Sequence, residues 1–102
     1  MDKIAALTEI LAEHPTDAFA RYGLAMAYAA DGKNDEALRE FATTLQHNPD
    51  YVPAFQMSAQ TLARQHRSDE AIALLHQGIA AAHRTGNAHA ASEMQAMLDD
   101  IG

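Results

Sequence analysis

A repeat with a period of 34 residues runs through most of this 102-residue chain. Shifting the sequence by 34 positions places Asp35-Glu36-Ala37 on Asp69-Glu70-Ala71 and Pro15 on Pro49. Three columns stay apolar through three successive copies: Ile4, Leu38 and Ile72; Leu7, Phe41 and Leu75; Leu11, Leu45 and Ile79. Within each copy these positions have an i, i+3, i+7 spacing, which marks one face of an α-helix. The repeat therefore predicts helical units stacked on one another rather than a sheet.

Turn-forming residues divide the chain into six predicted helices. The predicted ranges are 2–13, 17–30, 35–47, 51–65, 69–84 and 88–101. Gly32 and Gly86 fit helix ends because glycine readily adopts the left-handed cap conformation. Asn34, Asp50 and Ser68 are predicted to cap the helices that follow them, since their side chains can accept a hydrogen bond from a free backbone amide.

Small and large apolar residues alternate at the positions where helices are predicted to cross. The small residues are Ala25, Ala37, Ala59 and Ala71, and the bulky ones are Tyr28, Phe41, Leu62 and Leu75. Helices approach closely only where side chains are small, and bulky neighbours fill the space beside each crossing. Leu45 and Ile79 are also predicted to be core residues, from their apolar column.

The turn inside the second repeat differs from the turn inside the first. His66 stands where the first repeat has Gly32. If the position needs a positive φ, a residue other than glycine costs about 1 kcal/mol there. The second repeat is therefore predicted to be locally weaker than the first.

Both the period and the residue pattern resemble the tetratricopeptide-repeat (TPR) family. At the family's signature positions the first repeat has Arg21, Leu24, Ala25, Tyr28, Ala37, Phe41 and Pro49. The second repeat has Phe55, Ser58, Ala59, Leu62, Ala71, Leu75 and His83. The first repeat departs from the family pattern at its leading aromatic position, which holds Arg21, and the second departs at Ser58, Leu62 and His83. The chain looks like the small bacterial members of the family.

The resemblance implies an all-α, TPR-type right-handed α-solenoid of antiparallel helix pairs. We expect a single domain over residues 1–102, made of four parts: an N-terminal half-repeat helix (1–15), a first repeat (16–50), a second repeat (51–85) and a capping helix (86–102). The last helix has one apolar stripe and a polar outer side, which is what a terminal repeat needs for solubility.

In this family the first helix of each repeat lines a concave groove that holds peptides. The resemblance therefore implies a peptide-binding groove made by Phe19, Tyr22, Met26, Gln56, Met57, Gln60 and Arg64. The part from the first repeat is aromatic and apolar, and the part from the second is rich in amides. Aromatic rings bury a large area with few rotatable bonds, and glutamine can hydrogen-bond to a peptide backbone. The alternative is that Phe19, Tyr22 and Met26 pack on the first helix as core residues.

One class of partner is not expected. Cochaperone TPR domains clamp a C-terminal carboxylate with lysine, asparagine and arginine from three successive first helices. Here the corresponding positions of the first two hold Tyr22, Met26 and Met57, and residues 87–102 contain no lysine or arginine. A carboxylate needs such charge-assisted donors, so a chaperone-tail receptor of that kind is not predicted.

Composition excludes several other functions. The net charge of -7 disfavours binding to nucleic acid or to anionic membrane surfaces. The chain has no cysteine, no N-terminal signal sequence and no run of apolar residues long enough to span a membrane, so we expect a cytoplasmic protein. Its six histidines lack metal-site spacing, and the pairs Asp35-Glu36 and Asp69-Glu70 suit the first turns of helices. We expect no metal, no cofactor and no enzymatic activity.

Two functional hypotheses follow. The first is a protein-interaction module, an adaptor or scaffold that holds a peptide or a partner helix in its groove. The alternative is a structural protein that assembles into homo-oligomers through the groove or the solenoid ends, since contacts between opposite ends can propagate into rings or filaments.

Overall fold

Residues 2–101, which the computed structural model describes, contain six α-helices and no β-strand. They are α1 (Lys3–Glu13), α2 (Ala18–Ala30), α3 (Asn34–His47), α4 (Val52–Arg64), α5 (Ser68–Arg84) and α6 (Ala88–Ile101). Every helix begins and ends within one residue of its predicted range. The all-α prediction is therefore confirmed.

The chain divides into two compact units, Met1–Pro49 and Asp50–Gly102. In the first unit α2 packs against both α1 and α3. In the second unit α5 packs against α4 and α6, and α4 also contacts α6. The division lies next to the predicted end of the first repeat, so each unit contains one complete helix pair and one additional helix.

Three helices end in the same type of turn. In each turn the amide three positions beyond the last helical residue donates to a carbonyl five residues earlier, at distances of 2.9, 3.0 and 2.8 Å. The residue before that amide has a positive φ, which is 77° at Gly32, 60° at His66 and 72° at Gly86. These are the hydrogen bonds of a Schellman motif. The condition set for the turn at His66 is met, because this histidine adopts the left-handed conformation that glycine adopts in the other two turns. That the second repeat is locally weaker stays a prediction.

The predicted N-terminal caps are wrong. Asn34 and Ser68 are the first residues of their helices, and the preceding residues Lys33 and Arg67 provide no side-chain capping bond. Asp50 lies one residue before the cap position of α4, and its carboxylate instead accepts a 2.7 Å hydrogen bond from Arg84. Side-chain capping is made from the N-cap position, and none of the three residues occupies it.

The core of the first unit is formed at the predicted crossings. Ala25, Ala37 and Phe41 are completely buried between α2 and α3. On the other side of α2, Leu11 of α1 packs with Ala20 and Leu24. The alanines allow the close helix approach and the larger residues fill the space beside it, as the repeat pattern predicts.

Arg21 replaces the family's leading aromatic residue with an ionic connection. Its guanidinium donates to the Glu40 carboxylate of α3 at 2.7 Å and to the Pro15 carbonyl at 3.0 Å. The two charged side chains are only 16% and 23% exposed. Arg21 thus ties α2 both to α3 and to the turn that precedes α2.

Three helices of the second unit meet at Gly78. Elsewhere in this unit Ala59, Ala71 and Leu75 are completely buried, as predicted. A Cβ atom added to Gly78 would lie 2.7 Å from the Phe55 Cβ of α4 and 2.6 Å from the Met94 sulfur of α6. Both distances are too short for a real contact, so α5 needs glycine here to approach its two neighbours.

Leu45 and Ile79 are half-buried, which corrects the prediction that they belong to the core. Their neighbours Phe41 and Leu75 are completely buried instead. At about 100° per residue, a side chain four positions along a helix is displaced by about 40° around the axis. Phe41 and Leu75 therefore face the neighbouring helix, whereas Leu45 and Ile79 lie at the edge of the contact.

Candidate protein-binding surface

Phe19, Tyr22 and Met26 lie on one face of α2, because their spacing is three and four residues. Phe19 is 77% exposed, so it is not the core residue of the alternative interpretation. Tyr22 is half-buried, and its ring packs on Phe41 with a centroid distance of 5.9 Å and an interplanar angle of 52°. The tyrosine ring of α2 therefore packs on α3. One end of the face therefore offers a free aromatic ring, and its middle is supported by the core.

Met26 is half-buried and borders a depression between the beginning of α1 and the end of α2. The depression has a volume of about 530 Å³. Ile4, Ala27 and Asp31 also line it, and none of these was predicted as a site residue. The sequence carries no signal for it, because it exists only where the antiparallel packing brings the two helix ends together.

The predicted residues of the second repeat lie on α4. Gln56 and Met57 are half-buried, while Gln60 and Arg64 are exposed. The opposite side of the same helix carries the buried residues Phe55, Ala59 and Leu62. The second unit thus presents two amides, a thioether and a guanidinium on the side of α4 that does not form the core.

The predicted set is therefore divided between the two units. Phe19, Tyr22 and Met26 share a face in the first, and Gln56, Met57, Gln60 and Arg64 lie along α4 in the second. That the two faces form one groove stays a prediction.

The basic side chains of the second unit differ in their pairing. Arg67 donates two hydrogen bonds to Glu70, at 2.9 and 2.7 Å, and this interaction lowers the pKa of the Glu70 carboxyl below its ordinary value of 4.5. Arg84 pairs with Asp50 at 2.7 Å. Arg64 makes no ion pair with any of residues 2–101, so its charge is available to an external partner.

Within the same residues, no group of three histidine, cysteine or acidic side chains is arranged to hold a metal ion. The histidines are exposed, and His89 lies 3.4 Å from Glu93 on the surface of α6. None of the helices so described has both the length and the apolar character needed to cross a bilayer.

Several solved structures are similar to this one. The solution structure of a tetratricopeptide repeat domain protein from Salinibacter ruber has 31% sequence identity and a TM-score of 0.80, and the match covers 85% of this chain and 88% of that one. A protein from Bordetella parapertussis has 26% identity and a TM-score of 0.83, with coverage of 96% and 85%. The TPR2B domain of yeast Sti1, in a complex with pHsp70, has 20% identity and a TM-score of 0.90, with coverage of 96% and 78%.

A comparison with curated protein sequences gave no significant match. The family model of the tetratricopeptide repeat matches residues 4–57 and 28–97, which together cover nearly all of the chain. The predicted resemblance and the TPR-type fold are thereby confirmed. The chain belongs to the tetratricopeptide-repeat family.

Proposed function

We propose that this protein is an interaction module, an adaptor or scaffold that binds a peptide or helix of another protein through the exposed faces of α2 and α4. Proteins of its family are commonly non-enzymatic modules of this kind. The observation that carries the proposal is the exposure of Phe19, a large aromatic residue on the helix that the family uses for binding. A phenylalanine left in water contributes little to folding and is available to a partner.

Burial of Phe19 by a partner should contribute substantially to the binding free energy. Burying a phenylalanine side chain is worth about 1.5–3 kcal/mol. Phenylalanine, like the other aromatic residues, is enriched in the cores of protein–protein interfaces. The ring of Tyr22, held against Phe41, adds a pre-oriented surface that loses little freedom on binding.

The face of α4 provides polar recognition. Gln56 and Gln60 can each donate to and accept from a peptide backbone, and Arg64 can pair with an acidic side chain. Met57 is flexible and adapts to irregular apolar surfaces. This mixture suits an extended or helical peptide better than a charged tail.

The partner of the yeast domain does not carry over to this chain. At 20% identity that similarity concerns the fold alone. Tyr22, Met26 and Met57 stand where a carboxylate clamp needs donors, and α6 contains no lysine or arginine. We therefore propose a partner other than a chaperone tail held by such a clamp.

The test is a double variant, Phe19→Ala with Gln60→Ala, used as bait in an affinity capture followed by mass spectrometry. Both side chains are exposed, so the circular dichroism spectrum and melting temperature should stay close to those of the parent protein. Proteins captured by the parent should be lost from this variant. Tyr22→Ala is a less suitable change, because it also removes the packing on Phe41.

The matched control is Ser92→Ala with Gln95→Ala, two exposed positions on α6. This control should retain every captured partner. If Phe19→Ala with Gln60→Ala retains them and the α6 control loses them, the binding surface lies elsewhere and the proposal is wrong.

Self-assembly is the second candidate, and apolar residues that are at least partly exposed on α1 and α6 favour it. Ile10 on α1 is 44% exposed, and Met97, Leu98 and Ile101 on α6 are only half-buried. Sedimentation of the purified protein over a range of concentrations separates the two functions. A monomer at all concentrations would rule out the second, and a concentration-dependent oligomer that Ile10→Ser dissolves would support it.

A further inference from the structure

The depression between α1 and α2 combines an apolar floor with acidic edges. Ile4 on α1 and Met26, Ala27 and Ala30 on α2 provide the apolar surface. Its volume of about 530 Å³ leaves room for a long side chain. A lysine or arginine buries its aliphatic stem on such a surface while its charged head stays at the edge.

Two carboxylates border the depression. Asp2 accepts one hydrogen bond at 3.0 Å from the Ile4 amide and has a second carboxylate oxygen. Asp31 is exposed and makes no ion pair with residues 2–101. Lys3 also lines the depression, so one cation of the chain partly offsets the two acids.

The position of Asp31 is unfavourable for the helix itself. It is the C-terminal cap of α2, where the helix dipole disfavours negative charge. Asparagine would satisfy the same turn before Gly32 without this cost. The carboxylate therefore contributes to the surface charge of the depression and not to the stability of α2.

Resting on the proposed function as an interaction module, we propose that this depression receives a lysine or arginine side chain of the protein partner. Charge complementarity selects this occupant over a second copy of the chain. Phe19 and Ile10, the exposed large apolar side chains that a second copy would offer, lie near Asp17 and Glu9 in the sequence, and the chain as a whole carries a net charge of -7. Inserting either acidic segment between Asp2 and Asp31 would bring like charges together.

The experiment uses the full chain, isotope-labelled for NMR, and three capped tripeptides. These are leucine–lysine–leucine and its analogues with norleucine or glutamate at the centre. The lysine peptide should shift the amide resonances of Ile4, Ala27 and Asp31 more strongly than the norleucine peptide, and the glutamate peptide should leave them unchanged. Added salt should reduce the difference, because exposed charges are screened.

Three charge variants test the direction of the effect on peptide binding, and a fourth serves as the control. Asp2→Asn keeps the capping bond, since asparagine caps as well as aspartate, and removes only the charge. Asp2→Asn and Asp31→Asn should each weaken binding of the lysine peptide by about twofold to fivefold, as expected for exposed ion pairs. Lys3→Gln should strengthen it, and Asp100→Asn, which makes the same change in net charge on α6, should have no effect.

Equal shifts with the lysine and norleucine peptides, or equal losses in Asp31→Asn and Asp100→Asn, would overturn the inference. Shifts at the same resonances that grow with protein concentration in the absence of peptide would also overturn it, because a second copy would then be the occupant. The proposed function is judged separately. Phe19→Ala with Gln60→Ala leaves the depression intact, so it should lose the captured partner yet bind the lysine tripeptide normally.

Discussion

Replacing His66 by glycine should stabilise this protein, because His66 is held in the left-handed region with a φ of 60°. For a residue with a Cβ atom this conformation costs about 1–2 kcal/mol. Glycine avoids this cost, but it raises the conformational entropy of the unfolded chain. That effect lowers the free energy of unfolding by about 0.4–1 kcal/mol. The net gain is about 0.5–1 kcal/mol. In a domain of this size it corresponds to a rise in melting temperature of about 2–8 °C.

A substitution in the matching turn at Gly32 and a second substitution at His66 provide the controls. Gly32 has a φ of 77°, and a Cβ atom added there would meet nothing within 4 Å. Gly32→Ala should therefore lose stability through backbone strain alone, by about 1 kcal/mol. His66→Ala keeps the positive φ and removes the imidazole, so it should change stability by less than about 0.5 kcal/mol.

Thermal unfolding followed by circular dichroism measures all three variants, and hydrogen exchange of the Arg67 amide reports the turn locally. A clear loss of stability in His66→Gly would refute the reasoning. If His66→Ala lost a similar amount, an interaction of the imidazole would be the cause and not the backbone conformation.

Two further predictions concern packing and charge. Gly78→Ala should lower the free energy of unfolding by about 1–2 kcal/mol, since its Cβ would overlap two neighbouring helices. Gly23→Ala, whose Cβ would lie 3.6 Å from the Leu7 methyl groups in the interior of α2, should raise it by about 0.5–1 kcal/mol; equal effects in the two melting curves would contradict this account. The Glu70 carboxyl should titrate below 4.5 in an NMR pH series, and Arg67→Gln should bring its midpoint back towards 4.5. Because the folded-state pKa is lowered, the stabilisation from this pair is present above pH 4.5 and is lost as the pH falls through the folded-state value; a midpoint unaffected by Arg67→Gln would show that another group sets it.

The helices and their principal crossings could be predicted from the sequence because both depend on local patterns. The repeat period and the positions of Gly32 and Gly86 determine where helices end, since only a few residues tolerate the left-handed turn. The buried alanines were predictable for a similar reason. Each helix crossing needs a small side chain, and the 34-residue repeat places alanine at the equivalent position of both repeats.

Tertiary structure determined which side chains interact with each other. Asp50 binds Arg84, a partner 34 residues away, instead of capping α4. Arg21 forms an ion pair with Glu40, although the family pattern calls for an aromatic residue at that position. These outcomes depend on distances between residues far apart in the chain, which no local pattern contains.

The candidate binding surface could likewise be predicted only in part from the sequence. The family pattern named the helix face that carries Phe19 and Tyr22, but only the structure distinguishes the exposed ring of Phe19 from the ring of Tyr22 that rests on Phe41. The depression with Asp2 and Asp31 could not be predicted at all. Its two sides come from opposite ends of antiparallel helices, and they meet only because the packing of α1 on α2 brings the first residues of one helix beside the last residues of the other.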